Sequence, residues 1–180
     1  MAWDSLVFRE AGRADAGGIA ALHADSWRHA YRGILLDSFL DGDILQERSA
    51  LWEQRLALPA ANQFVWVAES GGAIKGLVCI YGAADARWGS LIDNLHVSRE
   101  LKGQGIGKAL MRTAAQWIHR HYPAAGMYLW VYEANARARR FYESLGAANV
   151  ENILKENPGG GTASSFRYAW TTEKMSLLLP

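Results

Sequence analysis

The sequence lacks the features that mark secreted, membrane-spanning and nucleic-acid-binding proteins. It has a single cysteine, Cys79, so no disulfide can form within the chain. Its 19 basic and 18 acidic residues nearly balance, and neither sign forms a long block, which argues against a nucleic-acid partner. No apolar run is long enough to cross a membrane, and the N-terminal residues do not resemble a secretory signal peptide. We therefore expect a cytoplasmic protein without nucleic-acid or membrane partners.

The length and apolar content fit one domain with a substantial core. The 180 residues lie within the usual range for a single domain, and we predict one domain over residues 1–180. Cys79 lies in the apolar run 77–80, so we interpret it as a small buried side chain rather than a nucleophile. The eight tryptophans and seven tyrosines are expected mainly in the core and in pocket walls.

Hydrophobic periodicity predicts an alternation of strands and helices. Strands are predicted over residues 6–11, 64–69, 73–82, 91–97, 127–132, 149–155 and 165–172. Helices are predicted over residues 15–31 and 38–58, after the glycines near residue 105 as far as about 121, and from 135 to about 145. Residues 83–89 and 157–161 read as loops, and Gly71-Gly72 as a hairpin turn. The predicted order is β-αα-βββ-α-β-α-ββ.

Three alternating glycines, Gly103, Gly105 and Gly107, follow the strand-like run 91–97 and precede a helical segment. Glycine permits backbone conformations that a Cβ forbids, and it lets a ligand approach the backbone closely. The first N–H groups of a helix have no partner inside the helix, and their partial positive charge favours an anion such as phosphate. The segment therefore predicts a pyrophosphate-binding loop.

Two well-known phosphate-binding patterns fit this loop poorly. A nucleoside-triphosphate loop needs Gly, four residues, Gly-Lys and then Ser or Thr. Here Gly107-Lys108 is followed by Ala109, and Lys102 stands where the first glycine should be. A dinucleotide fingerprint needs Gly-x-Gly-x-x-Gly and an acidic residue about 20 residues on. That spacing is absent, and no acidic residue lies about 20 residues after the loop.

A third pattern fits. The run Lys102-x-x-Gly105-x-Gly107 resembles the Arg/Gln-x-x-Gly-x-Gly/Ala signature of the GCN5-related N-acetyltransferases, with lysine at the first position. Lysine keeps the charge and a donor but lacks the planar fork of arginine. A second segment, residues 135–147, resembles the family's Asn-x-x-Ala-x-x-Phe-Tyr-x-x-x-Gly-Phe/Ala segment. Both motifs follow predicted strands in the expected order, and the resemblance spans roughly residues 6–170.

The second segment also has the signals of a helix independently of the family. Asn135 is a favourable N-cap, and Gly146 is a favourable C-terminal stop. Asn135, Ala138 and Tyr142 share one face of that helix, and the small residue between the two polar ones leaves room for a thin ligand chain. We expect the neighbouring Phe141 to point elsewhere, into the core.

The resemblance implies an α/β acyltransferase fold with a mixed central sheet of about seven strands and helices on both faces. It implies acetyl-coenzyme A as co-substrate and no metal, with the pantetheine arm between two splayed strands. By analogy with the family, a homodimer is also an expectation. The implied cofactor-binding residues are Leu95, His96, Val97, Lys102, Gly103, Gln104, Gly105, Ile106, Gly107, Lys108, Asn135, Ala138 and Tyr142.

The resemblance further implies direct acetyl transfer to a primary amine in a ternary complex. Tyr142 is the candidate general acid for the departing thiolate, with a packing role as the alternative. Backbone N–H groups near Leu95 and His96 are candidate donors to the carbonyl oxygen. Asp93 and His96 are candidate bases, on opposite faces of the strand unless a bulge intervenes. A structural hydrogen bond for either, and a water chain in place of a base, stay open.

Trp27 and Tyr31, one helical turn apart, are the candidate acceptor-binding residues, with core packing as the alternative. Acidic side chains in the following segment indicate a cationic acceptor, although a solvated helix face explains them equally well: Asp37, Asp41, Asp43 and Glu47. The predicted acceptor is a small-molecule amine. A protein N-terminus or lysine as acceptor, and a non-catalytic acyl-coenzyme A sensor, are the alternatives.

Overall fold

The computed structural model describes residues 6–179, in which strands and helices follow the predicted order. The strands are β1 (Val7–Glu10), β2 (Gln63–Ser70), β3 (Ala73–Asp85), β4 (Gly89–Val97), β5 (Met127–Tyr132), β6 (Ala148–Glu156) and β7 (Thr162–Trp170). The helices are α1 (Ala16–Ala30), α2 (Asp37–Asp41), α3 (Ile44–Ala57), α4 (Ile106–His121), α5 (Ala136–Ser144) and α6 (Thr172–Ser176). The short helix α6 was not predicted.

Two predicted boundaries were wrong. The single helix predicted over 38–58 is two helices, because Gly42 leaves the helical conformation between α2 and α3. The loop predicted over 83–89 is mostly strand, since β3 continues to Asp85 and pairs there with Gly89. The pairing is irregular between Tyr81 and Asp85, and Ala83 has a φ of 46°. Because the pairing is irregular here, the residues do not show the apolar–polar alternation from which strands were predicted.

The seven strands form one mixed sheet in the order β1-β2-β3-β4-β5-β7-β6. Neighbouring strands are antiparallel except β4 and β5, which run parallel. That parallel pairing covers only Ser90 with Met127 and Leu91 with Tyr128. Beyond Leu91 the two strands separate, so the sheet has an opening at its centre.

Helices cover both faces of the sheet, as the resemblance implied. Val78 and Ile80 of β3 pack in one core cluster with Leu110 of α4. The alternate residues Leu77 and Cys79 belong to a second cluster, with α1 and α3. Cys79 is fully buried, which confirms its interpretation as a small core side chain, and burial raises the pKa of its thiol to about 12.

A third core cluster lies where α1 leads into α2 and α3. It is built on Leu35, Leu40 and Ile44, and Trp27 and Tyr31 pack against it. Between residues 6 and 179, no helix combines the length and the apolar character that crossing a bilayer requires.

Glycine at position 89 is required by a close backbone contact at the start of the β4–β5 pairing. Gly89 has a φ of 85°, and a Cβ there would lie 2.2 Å from the carbonyl oxygen of Gly126. Gly146 has nearly the same φ, 86°, but no atom lies within 4 Å of its Cβ position. A side chain at Gly146 would therefore introduce backbone strain alone, whereas one at Gly89 would add a steric clash.

We expect Gly146→Ala to lower the free energy of unfolding by about 1–2 kcal/mol, the cost of a left-handed conformation. Gly89→Ala should cost that amount plus roughly 1–3 kcal/mol, because the β4–β5 contact must widen. Urea unfolding followed by circular dichroism measures both changes. Equal losses in the two variants would show that the Gly126 contact does not constrain the sheet.

Candidate active site

The glycine loop leaves a row of backbone N–H groups at the start of α4. Gly103 and Gly105 have φ values of 82° and 87°, so both are left-handed, and Gly105 is the N-cap of α4. The first backbone bond within the helix runs from the Ala109 N–H to the Gly105 carbonyl. The preceding N–H groups, those of residues 106–108, are therefore free of intrahelical partners and available to an anion.

A cavity of about 640 Å³ runs from this loop to the opening between β4 and β5. Eleven of the predicted cofactor-binding residues line it: Leu95, His96, Val97, Lys102, Gly103, Gly105, Gly107, Lys108, Asn135, Ala138 and Tyr142. The other two predicted side chains do not. Ile106 is buried in the core beneath the loop, and the Gln104 amide donates to the Glu100 carbonyl. Their side chains point away from the cavity, and the prediction that they bind the cofactor concerns the backbone amides of the loop.

Positive charge gathers at the loop end of the cavity. Lys102, Lys108 and Arg137 all line it. Burial lowers the pKa of Lys102, and the nearby Arg137 and Arg99 lower it further. His29 holds Arg99 in place: its Nδ1–H donates to the Asp25 carbonyl at 2.8 Å, so its Nε2 accepts from Arg99 Nη1 at 2.5 Å. Such a cluster of cations beside free N–H groups fits a phosphate-bearing ligand.

Helix α5 forms the opposite wall. The Asn135 side-chain oxygen accepts a hydrogen bond from the Ala138 N–H at 3.2 Å, which confirms the predicted N-cap. Phe141 packs against the core cluster as expected, and its ring also lines the cavity. The ring lies next to Gly107, where a Cβ would approach it to 3.4 Å. The absence of a side chain at Gly107 leaves one edge of the ring exposed to the cavity.

A bulge in β4 determines where the two candidate bases lie. Cys79 of β3 pairs with Asn94 and the next residue, Ile80, pairs with Ile92, so Asp93 is an extra residue in β4. The Asp93 carboxylate accepts from Arg55 Nη1 at 2.6 Å and from the Asn94 amide. Asp93 is thus held in an ion pair at the rim rather than left free to accept a proton.

His96 is buried at the centre of the site. Its Nδ1 is 3.0 Å from the Ser26 hydroxyl, and its ring packs against that of His23 with centroids 4.5 Å apart. Burial lowers the pKa of His96 to about 3, with the charges of Lys102 and Arg48 contributing. The imidazole is therefore neutral at physiological pH.

The sequence analysis did not single out His23. Its Nδ1 accepts a hydrogen bond from the Trp52 indole N–H at 3.0 Å, and burial, together with His96, holds its pKa far below the ordinary value. Its spacing from Trp27, four residues along α1, could have indicated a position on the same inward face. Ser26, His29 and Trp130 are further cavity residues that no motif indicated.

A second cavity, of about 80 Å³, lies beside the first and is lined by Trp27, Asp93 and Asn94 among others. Five residues line both cavities: Tyr31, Leu95, His96, Trp130 and Tyr142. The predicted acceptor-binding residues Trp27 and Tyr31 are thus brought together with both candidate bases and with Tyr142.

The acidic residues that indicated a cationic acceptor lie outside the linings of both cavities. Asp37 and Asp41 form ion pairs with Arg32, and Glu47 pairs with Arg48. They therefore give no support to a cationic acceptor. In the described part of the chain, no group of three or more His, Cys, Asp or Glu side chains is arranged to hold a metal ion.

Sequence comparison identifies the family. The sequence model of the acetyltransferase (GNAT) family matches residues 24–147, which is more than half of the chain. The chain belongs to this family. A probable N-acetyltransferase of Mycobacterium tuberculosis is 34% identical over 143 residues, which are 77% of this chain and 78% of the relative. The predicted membership and enzyme class are confirmed: the chain is an acyltransferase of the GNAT type.

Solved structures agree on the GNAT fold. The PaiA N-acetyltransferase of Thermoplasma acidophilum, in complex with coenzyme A, has a TM-score of 0.70 at 15% identity, over 92% of this chain and 99% of that one. A variant of the spermidine N-acetyltransferase of Vibrio cholerae has a TM-score of 0.68 at 19% identity, over 96% of each chain. At these identities the likeness establishes the fold alone, and the fold prediction is confirmed.

Two matched glycine substitutions test whether the glycine loop binds coenzyme A. Gly103 and Gly72 have φ values of 82° and 76°, and neither has an atom within 4 Å of its Cβ position. We expect Gly103→Ala and Gly72→Ala to lose similar stability, about 1–2 kcal/mol. Only Gly103→Ala should weaken coenzyme A binding, by about tenfold or more, because its methyl group lies in the loop that lines the large cavity. Calorimetric titration of both variants makes the comparison, and equal affinities would contradict the role of the loop.

The neutral histidines predict a pH dependence of stability. An unfolded histidine has a pKa near 6.5, whereas folding lowers the pKa of both His23 and His96. Below pH 6.5 the unfolded chain gains protons that the native chain does not. The free energy of unfolding should therefore fall on acidification, by about 2 kcal/mol per buried histidine at pH 5. His96→Asn should flatten the curve between pH 7 and 5, and a curve parallel to that of the parent would contradict the neutral assignment.

Proposed function

We propose that this protein binds acetyl-coenzyme A in the large cavity and transfers the acetyl group directly to the primary amine of a small molecule in the small one. The observation that carries the proposal is the shared wall of the two cavities, formed at the opening between β4 and β5. A thioester in the large cavity and an amine in the small one would meet where residues line both cavities, beside Tyr142, Leu95 and His96. The coenzyme A bound to the PaiA structure supports the choice of donor.

The donor side fits the chemistry of the ligand. The free N–H groups of residues 106–108 and the side chains of Lys102, Lys108 and Arg137 would hold the phosphates. Beyond Leu91, β4 has no pairing with β5, so main-chain groups of residues 95–97 can pair with the amides of the pantetheine arm. Asn135 and Ala138 would flank the arm from α5.

In the proposed reaction the thioester supplies the acetyl group. The surrounding residues donate a proton to the leaving thiolate and stabilise negative charge on the carbonyl oxygen. The lone pair of the neutral amine forms the new C–N bond as the C–S bond breaks. The Tyr142 hydroxyl gives its proton to the departing thiolate, and the surplus proton of the amine leaves through water and restores the tyrosine. Burial raises the pKa of Tyr142, so the hydroxyl stays protonated and suits a donor. N–H groups at the β4 bulge would stabilise negative charge on the carbonyl oxygen.

A dedicated base is not part of the proposal. An imidazole with a pKa of about 3 is a far weaker base than an alkylamine, so His96 serves better as a hydrogen-bonding wall fixed by Ser26. Asp93 is already engaged by Arg55. Water would instead relay the surplus proton of the amine to the Tyr142 phenolate left by thiolate protonation.

The small size of the acceptor cavity, about 80 Å³, and the aromatic rings among its lining residues favour a small molecule over a protein terminus or lysine. The alternative of a non-catalytic sensor is less well supported. It gives no reason for a buried tyrosine with a raised pKa at the junction of two cavities.

Replacing Tyr142 by phenylalanine tests the mechanism. Tyr142→Phe should lower kcat by about 10²–10⁴-fold, the usual contribution of a general acid, with little change in coenzyme A affinity. Tyr122→Phe makes the same chemical change outside both cavity linings and serves as the control. An unchanged kcat in Tyr142→Phe would remove the tyrosine from the mechanism.

Binding and turnover measured together test the function itself. Titration with acetyl-coenzyme A is followed by release of free thiol over a panel of amines. Thiol release with one class of small amine supports the proposal, and release with peptides alone favours a protein acceptor. Binding without release from any amine favours the sensor.

A further inference from the structure

The two ring nitrogens of His96 have different surroundings. Nδ1 lies 3.0 Å from the hydroxyl of Ser26, and both side chains are buried. Among residues 6–179, Nε2 has no hydrogen-bond partner and the chain does not enclose it, whereas the Nε2 of the neighbouring His23 is enclosed without a partner. Because His96 lines both cavities, its Nε2 reaches the space where the donor and the acceptor would meet.

The hydrogen bonds of Ser26 indicate which nitrogen of His96 carries the proton. A serine or threonine within a helix often donates to the carbonyl four residues earlier, as Thr113 of α4 does to Ala109 at 3.2 Å. The Ser26 hydroxyl forms no such bond, and His96 Nδ1 is its one hydrogen-bond partner in the described part of the chain. A proton on Nδ1 would therefore leave the hydroxyl proton of Ser26 without an acceptor. With the hydroxyl as donor, Nδ1 accepts and the ring proton lies on Nε2.

The imidazole of His96 keeps this single proton near neutral pH. Burial lowers the pKa of His96 to about 3, so the ring does not gain a second proton there. A neutral imidazole N–H can polarise a carbonyl oxygen while its own proton remains in place. His96 therefore presents a hydrogen-bond donor to a ligand in the space between the cavities.

The position of His96 on β4 would put that donor beside the thioester. Of the five residues that line both cavities, Tyr31, Trp130 and Tyr142 come from the end of α1, from β5 and from α5. Leu95 and His96 lie on β4, whose main chain would pair with the pantetheine arm. Between these two, only the His96 side chain carries an N–H group.

We propose that His96 is a catalytic residue whose Nε2–H donates a hydrogen bond to the carbonyl oxygen of the acetyl thioester. Ser26 is the positioning residue that keeps the ring proton on Nε2. The inference rests on the proposed function, and it adds a side-chain donor to the main-chain N–H groups at the β4 bulge.

His96 stabilises charge in this step and transfers no proton. As the amine nitrogen forms its bond to the carbonyl carbon, the π electrons of the C=O bond move onto the oxygen, where the Nε2–H group stabilises the negative charge. When the oxygen forms the double bond again, the C–S bond breaks and Tyr142 protonates the thiolate. The imidazole is thus in the same protonation state before and after the reaction.

Nitrogen-15 spectroscopy of the imidazole tests the position of the proton. In the parent chain labelled with nitrogen-15 histidine, we expect a protonated Nε2 and an unprotonated Nδ1 at His96, and His96→Gln identifies the signal by its loss. Ser26→Ala should populate both tautomers of His96, whereas Ser26→Thr, which keeps the hydroxyl, should resemble the parent. A proton on Nδ1 of His96 in the parent would contradict the inference.

Steady-state kinetics test the catalytic role. His96→Leu should lower kcat by about 10²–10³-fold, the usual effect of removing one donor to an oxyanion. Its coenzyme A affinity should change little, which also reports that the variant is folded. His96→Gln should recover part of the loss, because its amide N–H can lie near the position of Nε2.

Ser26 variants test the positioning role in the same assay. Ser26→Ala should lower kcat by about twofold to tenfold, because only part of the His96 population then has its proton on Nε2. Ser26→Thr should restore the parent rate. Ser165→Ala removes a buried hydroxyl outside both cavity linings and serves as the control, with kcat unchanged.

The pH dependence distinguishes a hydrogen-bond donor from a base. A donor that does not ionise should give a constant ratio of kcat between the parent and His96→Leu from about pH 6 to pH 9. A base would give a ratio that shrinks at high pH, where the amine loses its proton without help. A shrinking ratio, or an unchanged kcat in His96→Leu, would contradict the inference while leaving the proposed function intact. Coenzyme A binding with no thiol release from any amine would contradict both.

Discussion

The separation of β4 from β5 is the constraint on which the rest of the site depends. The two strands pair over only two residues, where the Ser90 N–H donates to the Gly126 carbonyl at 2.9 Å and Gly89 meets the same group. Beyond that point the β5 side of β4 has no neighbouring strand. Cavities form on either side of this opening, and helices from both layers of the fold supply their walls. A tighter or longer β4–β5 pairing would close the space in which donor and acceptor would meet.

Charge is distributed unevenly along the site. Cations and free N–H groups lie at the glycine loop, whereas the centre is held neutral by burial of His96, His23 and Tyr142. A neutral centre suits a reaction in which an uncharged amine meets an uncharged thioester. Around the small cavity, Arg55 pairs with Asp93, and Arg167 pairs with both Asp85 and Glu151.

The sequence predicted the fold and most of the lining of the large cavity, because both depend on local signals. Glycine spacing, the Asn135 cap and strand periodicity act over a few residues, and all are visible in the chain. The surroundings of the small cavity depend on contacts between distant strands and helices. Lys155 meets Trp130, Arg55 meets Asp93, and Trp52 meets His23 only after folding. The bulge at Asp93 and the exposure of Phe141 beside Gly107 likewise depend on pairing and packing that no short motif encodes.

The burial of Cys79 has a consequence for the chemistry of the protein in solution. A thiol reacts as its thiolate, and a fully buried thiol with a pKa of about 12 forms almost none at neutral pH. The folded chain should therefore not react with thiol-reactive dyes, although it contains a cysteine. Any dye signal that appears during turnover would come from released coenzyme A, and a slow background signal would measure unfolding of the core that encloses Cys79.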